Sequence, residues 1–210
     1  MLCLARECGV TTDESHINMI GDRDVLLIKR FDRETTARGY TRARMVSGLT
    51  ILRTDETLEM RKNWSYVLLV EELRRIVAEP KKDAHELFRR VCFNALISNV
   101  DDHPRNHAVI AKDTNWKLSP AYDLTPSVSI SQMHRDLAMD CGNRGRFASA
   151  KNILSQHARF LLKKDEAEKI VSDMKDRVDA TWYATVRACG VSEKDAQRIQ
   201  NAFVYPGFSW

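Results

Sequence analysis

The helix predicted over 83–98 constrains the fold of this chain more than any other feature of its sequence. Asp83 is a favourable N-cap residue for this helix. The apolar face of the helix consists of Leu87, Val91, Phe93, Leu96 and Ile97. A helix with so broad an apolar face must be buried on that side, and we expect it to end near Asn99. The polar segment SNVDDHPRNH at 98–107 therefore leaves the core at a well-defined position.

Two short apolar segments follow the polar segment and predict a β-hairpin. They are HAVIA at 107–111 and WKLS at 116–119, and they flank the turn-forming residues KDTN. A hairpin returns the chain to the point from which it left. We therefore expect Asn106, just before the hairpin, to lie close to Asp123, just after it.

The remaining patterns predict a single domain that is mainly α with a few short strands (α+β). Near the start, 2–8 has the pattern of a helix closed by Gly9, and DVLLIKRF at 24–31 has the pattern of a buried strand. The polar segment after that strand gives no clear pattern. Further helices are predicted at 65–78 (before Pro80), 152–162, 165–188 (ended by Gly190) and from Ser192 onward.

The composition is that of a globular protein. Hydrophobic residues make up 43% of the 210 residues, and no apolar run approaches the ~18 residues of a membrane span. The five cysteines are scattered without a CxxC pair, which favours a reducing cytoplasm over a disulfide framework or a cysteine zinc site. A net charge of +4 gives little support to direct nucleic-acid binding. We therefore expect a cytoplasmic protein without a membrane segment.

The polar segment has the spacing of a phosphoryl-transfer site. Protein kinases use a loop aspartate to accept the proton of the substrate hydroxyl, a later asparagine to bind Mg²⁺ and a further aspartate for Mg²⁺. Asp101 and Asn106 have the required D-x-x-x-x-N spacing, whereas Asp102 stands one position too close to Asn106. Carboxylate and amide oxygens are ligands that Mg²⁺ accepts. The spacing thus predicts Asp101 as the base, with Asn106 and Asp123 as Mg²⁺ ligands.

Other interpretations of the same residues stay open. A polar loop between a helix and a strand is commonly a solvated turn, and His103 with His107 also fits a metal-dependent phosphohydrolase. A small-molecule phosphotransferase would need the same site. A later loop at 133–146 fits either an acidic or phosphorylated partner or a solvated loop, and its basic residues include His134, Arg135, Arg144 and Arg146.

Four segments resemble the HipA-type toxin serine/threonine kinases of bacteria, and the resemblance spans nearly the whole chain. LLIKRFDR resembles the strand and hinge of that family, FNALISNVDDHPRNH its catalytic loop, WKLSPAYDLTPS its metal-binding segment and RDLAMDCGNRGR the following loop. The resemblance implies a protein-kinase-like C-terminal lobe of HipA type over 1–210. In this lobe, 1–33 would hold the hinge-proximal helix and strand, and 34–210 the helical part with the catalytic loop and hairpin.

The resemblance also implies ATP and Mg²⁺ as ligands and assigns roles to single residues. Asp101 would be the catalytic aspartate, and Asn106 and Asp123 would bind Mg²⁺. The residues expected around ATP are the backbone of Lys29 and Phe31 at adenine, Asp32 near the ribose, and His103 and Tyr122 along the nucleotide. The family more often has glutamate at the position of Lys29, and a backbone contact tolerates that change.

Partners are implied in the same way. Known substrates of the family are aminoacyl-tRNA synthetases, and its partner is a DNA-binding antitoxin similar to HipB, so contact with DNA would be indirect. Kinases further need a glycine-rich loop and a strand lysine before the hinge. No lysine precedes Lys29, and no G-x-G-x-x-G is present. We therefore expect either a separate N-terminal-lobe protein that completes the kinase in trans, or a catalytically weak binding module derived from one.

Overall fold

The computed structural model describes residues 1–128 and 131–209. Its α-helices are α1 (Leu2–Glu7), α2 (Gly48–Ile51), α3 (Tyr66–Ile76), α4 (Pro80–Leu96), α5 (Ala150–Leu154), α6 (Lys164–Ala188) and α7 (Glu193–Ile199). Its strands are β1 (Ser15–Ile20), β2 (Arg23–Ile28), β3 (Arg33–Thr36), β4 (Gly39–Arg42), β5 (Arg44–Ser47), β6 (Ala108–Ala111) and β7 (Lys117–Leu118). Single 3-10 turns lie at Met60–Asn63, Pro104–Asn106, His157–Phe160, Gln200–Ala202 and Pro206–Ser209. These elements confirm the predicted class, mainly α with a few short strands.

Helix α4 lies at the centre of the core and packs against α3 and α6. Its buried apolar residues include Leu87, Val91 and Phe93, as predicted. The predicted N-cap at Asp83 is wrong, because α4 already begins at Pro80. Proline suits the first position of a helix, where its missing N–H would have had no partner. Asp83 instead lies buried within the first turn, where burial raises the pKa of its carboxyl.

The predicted hairpin after the polar segment is confirmed. Strands β6 and β7 pair antiparallel, with Val109 opposite Leu118 and Ile110 opposite Lys117. On its other edge β6 pairs with β5, which lies in the polar segment that has no clear hydrophobic pattern. All four residues of β6 are buried, so the hairpin is fixed to the core beside the polar segment.

The strand predicted at 24–31 exists as β2, but the prediction that it is buried is wrong. Strand β2 pairs antiparallel with β1, and in the described residues this hairpin has no third strand. Its apolar side chains are exposed, with Leu26 at 57% and Ile28 at 41% of their full accessibility. An apolar run predicts a strand that packs against other elements, and no element of the described residues packs over the exposed side chains of β2.

Most of the other predicted boundaries follow local signals that are present in the structure, and one predicted helix is divided. Helix α1 is followed by Gly9 in a left-handed conformation, and Gly190 after α6 has the same conformation. Ser65 and Ser192 cap α3 and α7 through their hydroxyl oxygens. The segment predicted as one helix at 152–162 divides into α5 and the 3-10 turn His157–Phe160. Among the helices described, none has the length and apolar character to cross a membrane.

Candidate active site

The polar segment leaves α4 through a sharp change of direction that is held by backbone bonds. Ser98 has a positive φ of 55°, and the Asn99 amide donates to the Asn94 carbonyl at 2.8 Å. The segment then closes in the 3-10 turn Pro104–Asn106 before β6 begins. Because both ends are attached to buried elements, the backbone of 98–107 follows a well-defined path.

Asp102 is the centre of a buried hydrogen-bond network. Its side chain is 1% exposed, and its Oδ2 accepts from the Tyr66 hydroxyl at 2.5 Å and from Asn94 Nδ2 at 2.6 Å. His107 Nε2 lies 2.8 Å from the same oxygen, and its ring meets the Tyr66 ring edge to face. Residues from α3, from α4 and from the start of the hairpin therefore converge on one carboxylate.

The network favours the ionised form of Asp102. Burial alone would raise the pKa of its carboxyl, but His107 and Tyr66 outweigh that effect and the pKa lies below its ordinary value. The Tyr66 hydroxyl responds in the opposite direction: burial first, and then the neighbouring Asp102 charge, raise its pKa well above the ordinary value. Over the physiological pH range the Tyr66 hydroxyl therefore stays protonated and donates to the ionised carboxylate of Asp102.

Asp101 and Asp102 face different environments although they are neighbours in sequence. Asp101 is exposed, while Asp102 is committed to the network. A carboxylate that already accepts two or three buried hydrogen bonds is a poor acceptor for a substrate proton. Of the two, only Asp101 is exposed, and its role as the base stays a prediction.

The two residues predicted to bind Mg²⁺ are joined through their neighbours. The Tyr122 hydroxyl, next to Asp123, donates to the carbonyl of Arg105, next to Asn106, at 2.6 Å. Asn106 is 6% exposed, yet its side chain makes no hydrogen bond to the described residues. Asp123 has a positive φ of 57°, a strained conformation for a residue with a side chain. One amide and one carboxylate oxygen thus stay without protein donors, and this hard-oxygen pair fits Mg²⁺.

Phe31 connects the predicted hinge to Tyr122, the neighbour of the predicted Mg²⁺ ligand Asp123. The Phe31 ring stacks on Tyr122 with centroids 5.7 Å apart. The Lys29 amide donates to Glu14 at 2.9 Å and so is not available to a ligand. Within the described residues, however, the Lys29 carbonyl and the Phe31 amide have no hydrogen-bond partner. One acceptor and one donor, two residues apart, are what an adenine edge requires.

Asp32 stands apart from the other predicted residues. Its carboxylate forms two hydrogen bonds of 2.7 Å with the Arg30 guanidinium, which lower its pKa. It lines a small recess of about 190 Å³ together with residues of β3 and β4. The structure therefore places Asp32 in an ion pair beside the hinge, in a recess separate from that of Asp123.

A cavity of about 690 Å³ lies between the β1–β2 hairpin, α1 and the segment around Asp123. Tyr122 and Asp123 line it, together with Ile17, Leu26 and Ile28 of the hairpin. Burial raises the pKa of Tyr122 to about 12, so its hydroxyl stays protonated. Asp101, Asn106 and the hinge residues do not line this cavity, although Phe31 contacts Tyr122 at its border.

His103 contacts the core and does not line the cavity. Its ring lies edge-on to Trp64 with centroids 6.2 Å apart, and its Nδ1 is buried without a partner in the described residues. An unpaired buried ring nitrogen is compatible with a ligand contact. The predicted role along the nucleotide stays a prediction.

Sequence reasoning missed the residues that hold Asp102. Asn94 lies within the buried stretch of α4, and a polar residue among Phe93, Ala95 and Leu96 was a signal that its amide had a buried partner. Tyr66 had no such signal, since 36 positions separate it from Asp102. Only the packing of α3 against α4 brings the two side chains together.

Comparison with known proteins gives a family match and two curated relatives. The family described as "HipA-like C-terminal domain" matches residues 1–182. Y4mE of Sinorhizobium fredii (strain NBRC 101917 / NGR234) is 34% identical over 74 residues, and Y4dM of the same strain is 29% identical over 122 residues. Both are named "putative kinase". The matched segments cover 35% and 56% of this chain, but only 18% and 29% of the two relatives.

Two solved structures have a similar fold. HipA of Shewanella oneidensis MR-1, solved with HipB and operator DNA, aligns with a TM-score of 0.75 at 16% identity. That alignment covers 96% of this chain and 51% of HipA, so the chain spans about half the length of that protein. The Helicobacter pylori proinflammatory kinase CtkA aligns with a TM-score of 0.58 at 12% identity, over 96% of this chain and 78% of CtkA. At these identities the likeness shows the fold alone, and it is the predicted fold.

Proposed function

This chain belongs to the family of HipA-like C-terminal domains, and we propose that it is the catalytic lobe of an ATP- and Mg²⁺-dependent serine/threonine protein kinase of a toxin–antitoxin system. The observation that carries the proposal is the division of labour between two adjacent aspartates. Asp102 is buried in a network that fixes the loop, and this leaves Asp101 exposed at the D-x-x-x-x-N spacing from Asn106. A solvated turn has no need of a buried carboxylate with three partners.

The proposed reaction transfers the γ-phosphoryl group of ATP to a protein hydroxyl. The hydroxyl oxygen forms a bond to the γ-phosphorus, the bond from that phosphorus to the β,γ-bridging oxygen breaks, and ADP leaves with the electron pair. Asp101 accepts the hydroxyl proton and aligns the oxygen for attack. The Lys29 carbonyl and Phe31 amide would orient adenine, with Phe31 and Tyr122 packed beneath the hinge.

Asn106 and Asp123 would hold the metal ion near the phosphates. Bound Mg²⁺ supplies neutralisation of the phosphate charge during transfer. The strained backbone of Asp123 and its exposed side chain keep that carboxylate turned away from protein donors. We further propose that Asp32, released from Arg30, reaches the ribose, and that His103 faces the nucleotide.

A lobe outside these 210 residues would complete the kinase, and we propose that a separate polypeptide supplies it. The support is the β1–β2 hairpin, whose two outer edges have no strand partner in the described residues. Its exposed apolar side chains are Ile17, Met19, Ile20, Leu26, Leu27 and Ile28. A two-stranded ribbon with this many exposed apolar residues is a surface for strand addition and apolar packing. The glycine-rich loop and strand lysine would come with that lobe.

The remaining assignments extend the resemblance. The S. oneidensis relative was solved with HipB and operator DNA, and we propose a similar DNA-binding antitoxin as the partner here. DNA would then be contacted through the antitoxin. We propose an aminoacyl-tRNA synthetase as substrate on the family resemblance alone. All five cysteines are free thiols, which fits a reducing cytoplasm.

The decisive experiment separates Mg²⁺-nucleotide binding from transfer. Binding of a fluorescent ADP analogue with Mg²⁺ is titrated against wild type, Asp101→Asn and Asp123→Asn, with Asp179→Asn on the exposed face of α6 as the matched control. We expect Asp123→Asn to weaken binding by about tenfold or more, while Asp101→Asn binds within about twofold of wild type. Transfer from labelled ATP to protein should then fall by about 10²-fold or more in Asp101→Asn.

The outcomes distinguish the proposal from its alternative. With the candidate lobe added and transfer by wild type above background, equal transfer by wild type and Asp101→Asn would refute the role of Asp101. Tight Mg²⁺-ADP binding without any transfer, even after a candidate lobe is added, would favour a HipA-derived binding module. Loss of nucleotide binding in Asp179→Asn to the same extent as in Asp123→Asn would show that the effect is not local to the metal residues.

A further inference from the structure

The loop at 141–147, called the basic loop below, presents two arginines on a fixed backbone. Arg144 and Arg146 are exposed, and in the part of the chain that the structure describes neither guanidinium forms an ion pair. Arg135, the other arginine of this region, is buried; it donates to the carbonyls of Ser131 and Asn201 and lies over the Tyr205 ring. Arg135 is therefore structural, and the two exposed arginines of this region lie in the basic loop.

The buried side chain of Asn152 fixes the basic loop. Asn152 is 1% exposed, and its Nδ2 donates to the carbonyls of Gly145 at 2.9 Å and Phe147 at 2.8 Å. Its Oδ1 accepts from the Arg144 amide at 2.6 Å. Gly142 passes so close that a Cβ there would lie 1.9 Å from the Asn152 carbonyl oxygen. Asn152 of α5 thus holds the loop by three hydrogen bonds and packs closely against a fourth position, Gly142.

The Arg144 side chain is also oriented before any partner binds. Its guanidinium carbon lies 4.6 Å from the centroid of the Phe147 ring, and the His134 imidazole stacks on that ring at 4.4 Å. A guanidinium packed on an aromatic ring keeps its N–H groups free for a carboxylate. Because less side-chain freedom is lost on binding, an arginine held this way binds an anion more tightly than a mobile one.

The basic loop is attached to the segment that supports the candidate active site. Asp140, at its base, exchanges backbone hydrogen bonds with Trp64 and Tyr66 at 2.9 and 3.0 Å. The Tyr66 hydroxyl binds Asp102, and the Trp64 ring contacts His103. A single three-residue segment therefore lies between the basic loop and the loop that carries Asp101.

Two carboxyl groups, those of Asp136 and Asp140, lie near the basic loop. Asp136 is paired with His134 at 2.9 Å. The Asp140 carboxyl lies near Arg146, but it is partly buried, and burial raises its pKa. Neither Arg144 nor Arg146 forms an ion pair with these carboxyls in the described residues, and two unpaired guanidiniums suit a short acidic segment, whereas nucleic acid requires a more extended basic surface.

We infer that the basic loop binds acidic residues of the protein substrate and so selects phosphorylation sites with nearby glutamate or aspartate. The inference rests on the proposed kinase function, because it gives the loop the substrate of that site. Arg144 and Arg146 would each form charge-assisted hydrogen bonds with a carboxylate, and the fixed loop would present both toward a segment lying across Asp101.

Peptide binding to the intact chain tests the inference without requiring turnover. The probe is a fluorescent peptide with one serine flanked by glutamates, and its comparison peptide has glutamines in their place. Wild type is compared with Arg144→Gln/Arg146→Gln. The matched control is Lys81→Gln/Lys117→Gln, which removes the same charge from exposed positions near the other end of α4.

We expect wild type to prefer the glutamate peptide, and the double arginine variant to lose about fivefold or more in affinity for it. The control variant should keep the preference, and added salt should reduce it. Equal binding of both peptides by wild type, or an equal loss in the control variant, would overturn the inference. Binding of the fluorescent ADP analogue with Mg²⁺ is measured on the same samples. If the nucleotide does not bind but the peptide preference is intact, the kinase proposal is contradicted and the anion binding of the basic loop is still supported.

Discussion

Replacing Tyr66 with phenylalanine would remove one hydroxyl from the network that holds Asp102 and leave the ring in place. The hydroxyl is fully buried, lies 2.5 Å from Asp102 Oδ2 and donates to a charged acceptor. Hydrogen bonds to charged groups contribute about 1.5–3 kcal/mol to stability. Asn94 and His107 still contact the same oxygen in the variant, so the buried carboxylate keeps two of its three partners. We therefore expect the free energy of unfolding to fall by about 1.5–3 kcal/mol, less than for loss of Asp102 itself.

Urea unfolding and thermal melting measure this change directly. For a chain of this size the loss corresponds to a decrease in Tm of about 3–12 °C. Tyr40→Phe is the matched control, since Tyr40 lies 70% exposed on β4 and its hydroxyl makes no hydrogen bond to the described residues. The control should change stability by less than about 0.5 kcal/mol. A Tyr66→Phe variant as stable as the control would refute the network.

The acid limb of the stability curve gives a second measurement of the same hydroxyl. The folded-state pKa of Asp102 lies below its ordinary value of 3.8. A group with a depressed folded pKa stabilises the protein above the unfolded value, and that contribution is lost as the pH falls through the folded value. Tyr66→Phe weakens the support for the ionised carboxylate, so its folded pKa should rise toward 3.8 or above. The stability difference between wild type and variant should therefore shrink below about pH 4, and a constant difference there would contradict the assignment.

Two further substitutions test other parts of the structure. Arg90→Met removes the buried partner of Glu86, 3.0 Å away, and should lower the free energy of unfolding in urea by about 3–5 kcal/mol. Arg89→Met is the less buried control. A decrease below about 1 kcal/mol would show that the pair is not buried in solution. Gly142→Ala places a Cβ against Asn152 and should lower Tm more than Gly21→Ala, where φ is +64° but no atom lies within 4 Å. The reverse order would contradict the packing of the basic loop.

The parts of the fold that were predictable are those set by neighbouring residues. The helix α4, the hairpin β6–β7 and the caps at Ser65 and Ser192 each depend on a few adjacent positions, and each is present. The predicted start of α4 was one turn too late because two local signals competed. Asp83 is a good N-cap, but Pro80 is a better first helical residue, and the chain follows the earlier signal.

The features that were not predictable depend on distant or external partners. The strands β3 and β4 are polar and exposed, so no hydrophobic pattern marks them. The exposure of β2 depends on a covering layer that the described chain lacks, and an apolar strand looks the same in sequence whether its cover is present or not. The hydrogen bond between Tyr66 and Asp102 can form only when α3 is packed against α4.

Adjacent aspartates in the candidate site allow folding and chemistry to be tested separately. Side chains of successive residues cannot share one environment here, since Asp102 is held in the core by partners from α3 and α4. Holding Asp102 in the core sets the direction of the backbone at that point, and Asp101 is left exposed. A one-position error in the loop would bury Asp101 and expose Asp102, and the buried donors would still have a carboxylate to bind. The D-x-x-x-x-N spacing to Asn106 is what makes only one of these two arrangements compatible with the proposed phosphoryl transfer.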